Sequence, residues 1–197
     1  MPLDKHFDAR VDRLIAVTTE RSFAVWHALG TIYRGWAKVI NGDVAEGTSL
    51  LRSGSIAYRA TGTEASVPYH MALLAAGYEI ARQVEESLAL LDDALQVAER
   101  TGERWVRAEL YRRKGHLLLR QGHTAGERFY YRAMNIAEEQ GAKLLELRAA
   151  VSLARLRCDQ GRRTEASDLL APVYGWFTEG FDTPDLKAAK ELLDKLA

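Results

Sequence analysis

An internal disulfide is the first thing this sequence excludes, because its one cysteine, Cys158, has no second thiol in the chain. A lone thiol suits a reducing, cytoplasmic setting, and its simplest role is a small side chain in or near a core. Prolines number only 4, and no Ser/Gly-rich run interrupts the 197 residues, so nothing marks a linker between domains. No apolar stretch approaches the roughly 20 residues that a membrane span needs, and the polar opening, residues 1–10, lacks the apolar segment of a secretory signal. Net charge is missing too. Lys and Arg together number 27, as do Asp and Glu, which argues against a nucleic-acid binder working through bulk positive charge.

Catalytic and metal-binding motifs are equally scarce. The five histidines (His6, His27, His70, His116 and His123) show no His-Glu-x-x-His spacing, and neither Cys-x-x-Cys nor Gly-x-Ser-x-Gly occurs. The adjacent acids Glu85-Glu86, Asp92-Asp93 and Glu138-Glu139 diverge by about 100° around a helix and read as solvated faces. These absences predict a protein that is not an enzyme and holds neither cofactor nor metal.

What is present is helical periodicity. An apolar share of 47% and a charged share of 27% belong to a globular protein. Apolar residues recur at spacings of three and four, as in Tyr111, Gly115 and Leu118, or Phe129, Tyr130, Ala133, Met134 and Ala137. Each such segment has one face to bury and is too narrow or too short to bury it alone. Copies at near-constant intervals supply the cover: Gly62, Gly102 and Gly141 end successive helix pairs, and Gly42, Gly122 and Gly161 fall between the two helices of a pair. The pattern predicts a single all-α domain, a right-handed α-α superhelix of about ten helices. Its parts are a half repeat at 5–19, repeats at 22–62, 66–102, 104–141 and 143–180, and a capping helix at 184–196. Ser22 and Ser66 are candidate N-caps, Pro68 suits a first helical turn, and Pro172 should bend the helix expected over 164–178.

Small residues recur within each repeat: Gly35, Ala75, Gly115 and Ala154 in first helices, and Gly47, Ser87, Gly126 and Ala166 in second helices. This arrangement resembles tetratricopeptide repeats with lengthened helices. It departs from them in having Thr-Gly or Gln-Gly where a proline is expected, and in a turn one residue short before Gly126. The stretches Thr101-Gly102-Glu103-Arg104-Trp105, Gln140-Gly141-Ala142-Lys143, Leu147-Arg148-Ala149-Ala150 and Gly180-Phe181-Asp182-Thr183-Pro184-Asp185-Leu186-Lys187 look like a narrower group. They resemble the C-terminal repeat region of bacterial signalling proteins that carry a class III nucleotide cyclase domain and a regulatory ATPase. Neither a phosphate loop nor a cyclase metal site is present, so the resemblance implies a tail or stand-alone relative and not a cyclase.

Projected onto this chain, the groove of such repeats would be lined by first helices: Leu29, Ile32, Trp36 and Ile40, then Tyr69, Ala72, Glu79 and Ile80. Glu109, Arg112, His116 and Arg120 follow, and then Arg148, Val151, Arg155 and Asp159. Residues 103–165 hold 14 Lys/Arg against 8 Asp/Glu, so the balanced total conceals a basic middle. Arginine forks suit carboxylates and phosphates. The alternative is that these arginines pair with Glu109, Glu146 and Asp159 on a solvated face. Of Trp26, Trp36, Trp105 and Trp176, at least two are expected in the core. The partner expected is a protein or peptide, acidic in character, with no role for nucleic acid or membrane. A small anionic ligand or simple self-association are the rivals. The apolar stripe of the half repeat (Phe7, Val11, Leu14, Ile15) implies either a fragment of a longer protein or a homodimer formed through that end.

Overall fold

The computed structural model describes residues 6–196, and among them are ten α-helices, one 3-10 turn and no strand. The helices are α1 (Phe7–Glu20), α2 (Ala24–Ile40), α3 (Val44–Ala60), α4 (Val67–Ile80) and α5 (Val84–Thr101), followed by α6 (Arg107–Arg120), α7 (Glu127–Glu139), α8 (Lys143–Asp159), α9 (Arg163–Gly175) and α10 (Pro184–Leu196). None is long and apolar enough to cross a membrane. They form two compact units, Met1–Arg104 and Trp105–Ala197.

A backbone metronome sets the helix lengths. Apart from Ser66, the residues with left-handed φ stand at Ser22, Gly42, Gly62, Arg82, Gly102, Gly122, Gly141, Gly161 and Gly180, every nineteen or twenty residues. After six of them, the next amide donates to the carbonyl five residues back: Phe23 to Thr18, Asp43 to Lys38, Gln83 to Tyr78, His123 to Leu118, Ala142 to Ala137 and Arg162 to Arg157. This is the helix-ending bond that a left-handed residue makes possible, and glycine adopts it without a Cβ penalty. Arg82, at φ +62°, occupies it with a side chain. Left-handed backbone costs an L-residue roughly 1–2 kcal/mol, partly offset by the greater freedom of glycine in the unfolded chain. Arg82→Gly is therefore expected to stabilise the protein by about 1 kcal/mol, read as a higher urea midpoint at unchanged slope. A lower midpoint would show that the arginine side chain contributes more than its backbone strain costs.

Neither serine serves as the side-chain N-cap that the sequence suggests. Ser22 and Ser66 have φ of +56° and +60°, whereas a capping side chain needs an extended backbone to reach the amides ahead of it. The Ser66 amide instead donates to the Glu103 carboxylate at 2.6 Å, tying the start of α4 to the residue two past the end of α5.

Within each helix pair, the small residues are the points of closest approach. A Cβ on Gly35 would lie 2.8 Å from the Gly47 carbonyl oxygen, and one on Gly47 would lie 2.7 Å from that of Gly35. In the next pair the Ser87 hydroxyl donates to the Ala75 carbonyl at 2.7 Å, both residues being buried. Gly115 and Gly126 repeat the glycine arrangement, and Ala154 and Ala166 are fully buried. The short turn before Gly126 is absorbed by a change of helix type. Gly47, Ser87 and Ala166 donate to carbonyls four residues back, while Gly126 donates three back, to His123, within the 3-10 turn Thr124–Gly126. A 3-10 bond spans one residue fewer, so the contact with Gly115 is kept.

The second unit ends in a shared core of Leu147, Ala150, Val151, Ala154, Ala166, Leu170, Leu186 and Ala189, with Leu192, Leu193 and Leu196 packed against it. Pro172 lies in the last turn of α9, which stops at Gly175 and so is shorter than the sequence pattern suggests. The tryptophans also depart from expectation. Trp26, Trp105 and Trp176 are each about half exposed. All three sit at or next to helix ends. Trp176 lies edge-on to Phe177, with the Lys143 ammonium 5.8 Å from its ring centre.

Candidate binding face of the second unit

Helices α6 and α8 are first helices of successive pairs, and they pack side by side in the second unit. On α6 the spacing 109, 112, 113, 116, 120 keeps Glu109, Arg112, Arg113, His116 and Arg120 within one broad face. On α8 the corresponding residues are Arg148, Ser152 and Arg155. The Glu109 carboxylate accepts two bonds from Arg112, 2.8 Å from Nε and 2.7 Å from Nη2, and a third from Arg113 Nε at 3.0 Å. Arg112 Nη1 donates to the Ser152 hydroxyl at 3.2 Å, and that hydroxyl donates to the Arg148 carbonyl. Arg148 donates through Nε and Nη2 to one oxygen of Asp185, at 3.0 and 2.7 Å, in the first turn of α10.

The electrostatics follow from this geometry. Burial alone would raise the Glu109 carboxyl, but the hydrogen bonds and charge of Arg112, with the charges of Arg113 and Arg148, outweigh it and hold the group down at about 2. Arg148 is raised chiefly by its bonds to Asp185, against burial, with Asp185 and Glu109 adding to the rise and Arg112 opposing it. Arg112 and Arg113 thus converge on Glu109 and Arg148 on Asp185, and Arg120 and Arg155 are exposed along the same helices. Arginines cluster along this face, the inner ones partly buried, and a forked arginine in such a setting is a strong carboxylate or phosphate ligand.

The carboxylate partners were not all legible. Glu109 serves Arg112 as the sequence allows, but Glu146 pairs with Lys143 at 2.7 Å, and Asp185 lies on a helix outside the repeats. Arg157 was missed altogether. It is buried on α8, bonded to Glu127 at 2.6 Å and to the Tyr131 hydroxyl, and so bolts α8 to α7. Nothing in its local Leu-Arg-Cys-Asp context signals burial.

In the first unit, Trp36 of α2 and Tyr69 and Glu79 of α4 are half-buried, while Ile32 and Ala72 of the same projection are core. Val151 is likewise core in the second unit. A cavity of about 260 Å³ lies elsewhere in the first unit, lined by Arg59, Gly62, Thr63, Glu64, Val67, Val97 and Arg100. None of the groove residues lines it, and Arg100 is bonded across it to Glu64 at 2.8 Å. Among the described residues, no cluster of His, Cys, Asp or Glu is arranged to hold a metal.

His70 gives the first unit an acid sensitivity. It is 3% exposed, set edge-on to Tyr58 with ring centres 4.7 Å apart, and its Nδ1 has no hydrogen-bond partner. Burial lowers its pKa from 6.5 to about 4. The folded state therefore favours the neutral ring, so this stability is fully present above pH 6.5 and is lost as pH falls from 6.5 toward 4, up to about 3 kcal/mol. Urea unfolding at pH 7 and pH 5 should show a steep decline that His70→Leu flattens. An equally steep decline in the variant would place the acid sensitivity in other groups.

No family model matches the sequence. The chain is 29% identical over 133 residues, 66% of its length, to an uncharacterised protein of Rhizobium meliloti (strain 1021), and it spans 13% of that relative. Among solved structures it is similar to BtubC (BKLC) from P. vanneervenii, with a TM-score of 0.78 and 13% identity, covering 98% of this chain and 82% of that one. It is also similar to the TPR-like repeats of a kinesin light chain-like protein from Podosopora anserina, with a TM-score of 0.63 and 21% identity, covering 84% of this chain and 83% of the other. The fold is an all-α, TPR-like helical repeat.

Proposed function

We propose that this chain is a non-enzymatic, protein-binding repeat module whose partner presents an acidic segment to the α6–α8 face. The observation that carries it is the clustering of Arg112, Arg113 and Arg148 about Glu109 and Asp185 on two adjacent helices that also expose Arg120 and Arg155. The TPR-like fold supports the scaffold role, and a relative of which the chain spans 13% supports a module within a much longer protein. The stretches that resemble the C-terminal repeat region of cyclase- and ATPase-bearing proteins favour a bacterial signalling assembly, in the cytoplasm, as the setting. Self-association through α1 has less support, since Val11 is buried and Ile15 lies against Gly30 of α2.

Fluorescence anisotropy with a labelled octaglutamate peptide tests the face. The double variant Arg120→Glu/Arg155→Glu should weaken binding by more than about tenfold, each lost charge contact being worth on the order of 1 kcal/mol or more. Its melting temperature should barely move, because exposed charges contribute little to stability. Equal binding by parent and variant would remove the face from the reading. A rise in melting temperature with small di- or tricarboxylates, without peptide binding, would favour a small anionic ligand instead.

A further inference from the structure

Asp185, in the first turn of α10, bonds to an arginine of another helix. α10 is anchored by apolar contacts, with Leu186 and Ala189 buried and Leu192, Leu193 and Leu196 packed on the same core. The carboxylate of Asp185, itself 29% exposed, reaches from that anchored helix to take both donors of the Arg148 fork on a single oxygen. Arg148 is in turn close enough to Arg112 to feel its charge, and the two are linked through Ser152. The fork that completes the cationic face is thus already holding a carboxylate supplied by the chain.

Resting on the acidic-partner reading above, we infer that Asp185 is a resident competitor: a partner's carboxylate binds Arg148 by displacing it. The exchange needs only a side-chain rotation. α10 stays seated on its leucines, and Asp185 turns toward the solvent that already reaches it. While Asp185 holds the fork, the binding-competent fraction is reduced and apparent affinity falls in proportion. The contact therefore selects for segments with several acidic residues, which recover the loss through Arg112, Arg120 and Arg155, over isolated carboxylates.

The test uses the full chain and labelled octaglutamate, comparing Asp185→Asn with Glu191→Gln. The control removes the same charge from an exposed position of the same helix. Asp185→Asn should tighten binding by about tenfold and Glu191→Gln by less than about twofold. Adding Arg148→Gln to Asp185→Asn should abolish the gain. Equal tightening by both single variants would reduce the effect to net charge and overturn the inference, as would no tightening by Asp185→Asn. If parent binding is insensitive to Arg120→Glu/Arg155→Glu, the face reading itself falls. If it is sensitive and Asp185→Asn is neutral, only the competitor falls. Should Asp185→Asn lower the melting temperature, the Arg148 Nε–H resonance of the unsubstituted chain decides: octaglutamate should shift it, and an unmoved signal overturns the displacement.

Discussion

Removing residues 183–197 is expected to leave a chain that aggregates or loses the cooperative melt of its second unit. Leu186 is buried at 3% exposure, and Leu192, Leu193 and Leu196 pack against the same core. The surface they cover includes Leu147 and Leu170, both fully buried, and Val151. A fully buried leucine is worth about 1.5–3 kcal/mol, so Leu186 with the three partly buried leucines approaches the lower end of the about 5–15 kcal/mol that stabilises a typical domain. Arg148 would also lose its Asp185 partner, leaving it beside Arg112. Size-exclusion chromatography with a thermal melt checks this. A monomer with an unchanged melt would show that α10 contributes nothing to the unit it covers. Leu186→Ser supplies a full-length comparison and should lower the melting temperature without shortening the chain.

Gly47→Val should be the most damaging single substitution in the first unit. A Cβ at Gly47 would stand 2.7 Å from the Gly35 carbonyl oxygen, 2.7 Å from the Val39 amide nitrogen and 2.6 Å from Val39 Cγ2. Two of those three atoms are backbone, so no rotamer change relieves the contact and α2 must move away from α3. The separation would also disturb Gly54, whose own Cβ position is 2.9 Å from the Ile32 amide nitrogen. Overpacking against mobile side chains costs about 1–3 kcal/mol, and against two backbones the loss should exceed about 3 kcal/mol. Helix propensity works the other way by only a few tenths of a kcal/mol, since valine ranks above glycine. Urea unfolding followed by circular dichroism reads the effect. A loss below about 1 kcal/mol would mean that the two helices can separate without losing their packing.

The repeat architecture was legible because its causes are local. Apolar residues at spacings of three and four specify amphipathic helices, and a glycine that must be left-handed can be recognised without knowing what surrounds it. The regular stations of Gly42, Gly62, Gly102, Gly122, Gly141, Gly161 and Gly180 carried the period almost unaided. Where the same backbone conformation is held by Ser22 or Arg82, the helix boundary is still legible but the left-handed residue is not, because serine and arginine occur anywhere and only the turn's hydrogen bond betrays the geometry. The shortened turn before Gly126 was visible as a missing residue. Its resolution into a 3-10 turn depended on the need of Gly126 to meet Gly115, a contact between residues eleven apart.

The candidate face divides along the same line. The residues at 109, 112, 116 and 120 share one helix, so their common orientation follows from the 3.6-residue turn alone. Their partners do not follow from it. That Arg148 meets Asp185, thirty-seven residues away, depends on where α10 docks, and that docking is set by leucines and not by charge. Arg157 is buried because α7 brings Glu127 and Tyr131 to it, and Trp26, Trp105 and Trp176, at or next to helix ends, stay half exposed. Local periodicity settles which side chains point the same way. Which charges are neutralised, and which remain to meet a partner, is set by long-range packing that brings distant helices within about 3 Å of one another's polar groups.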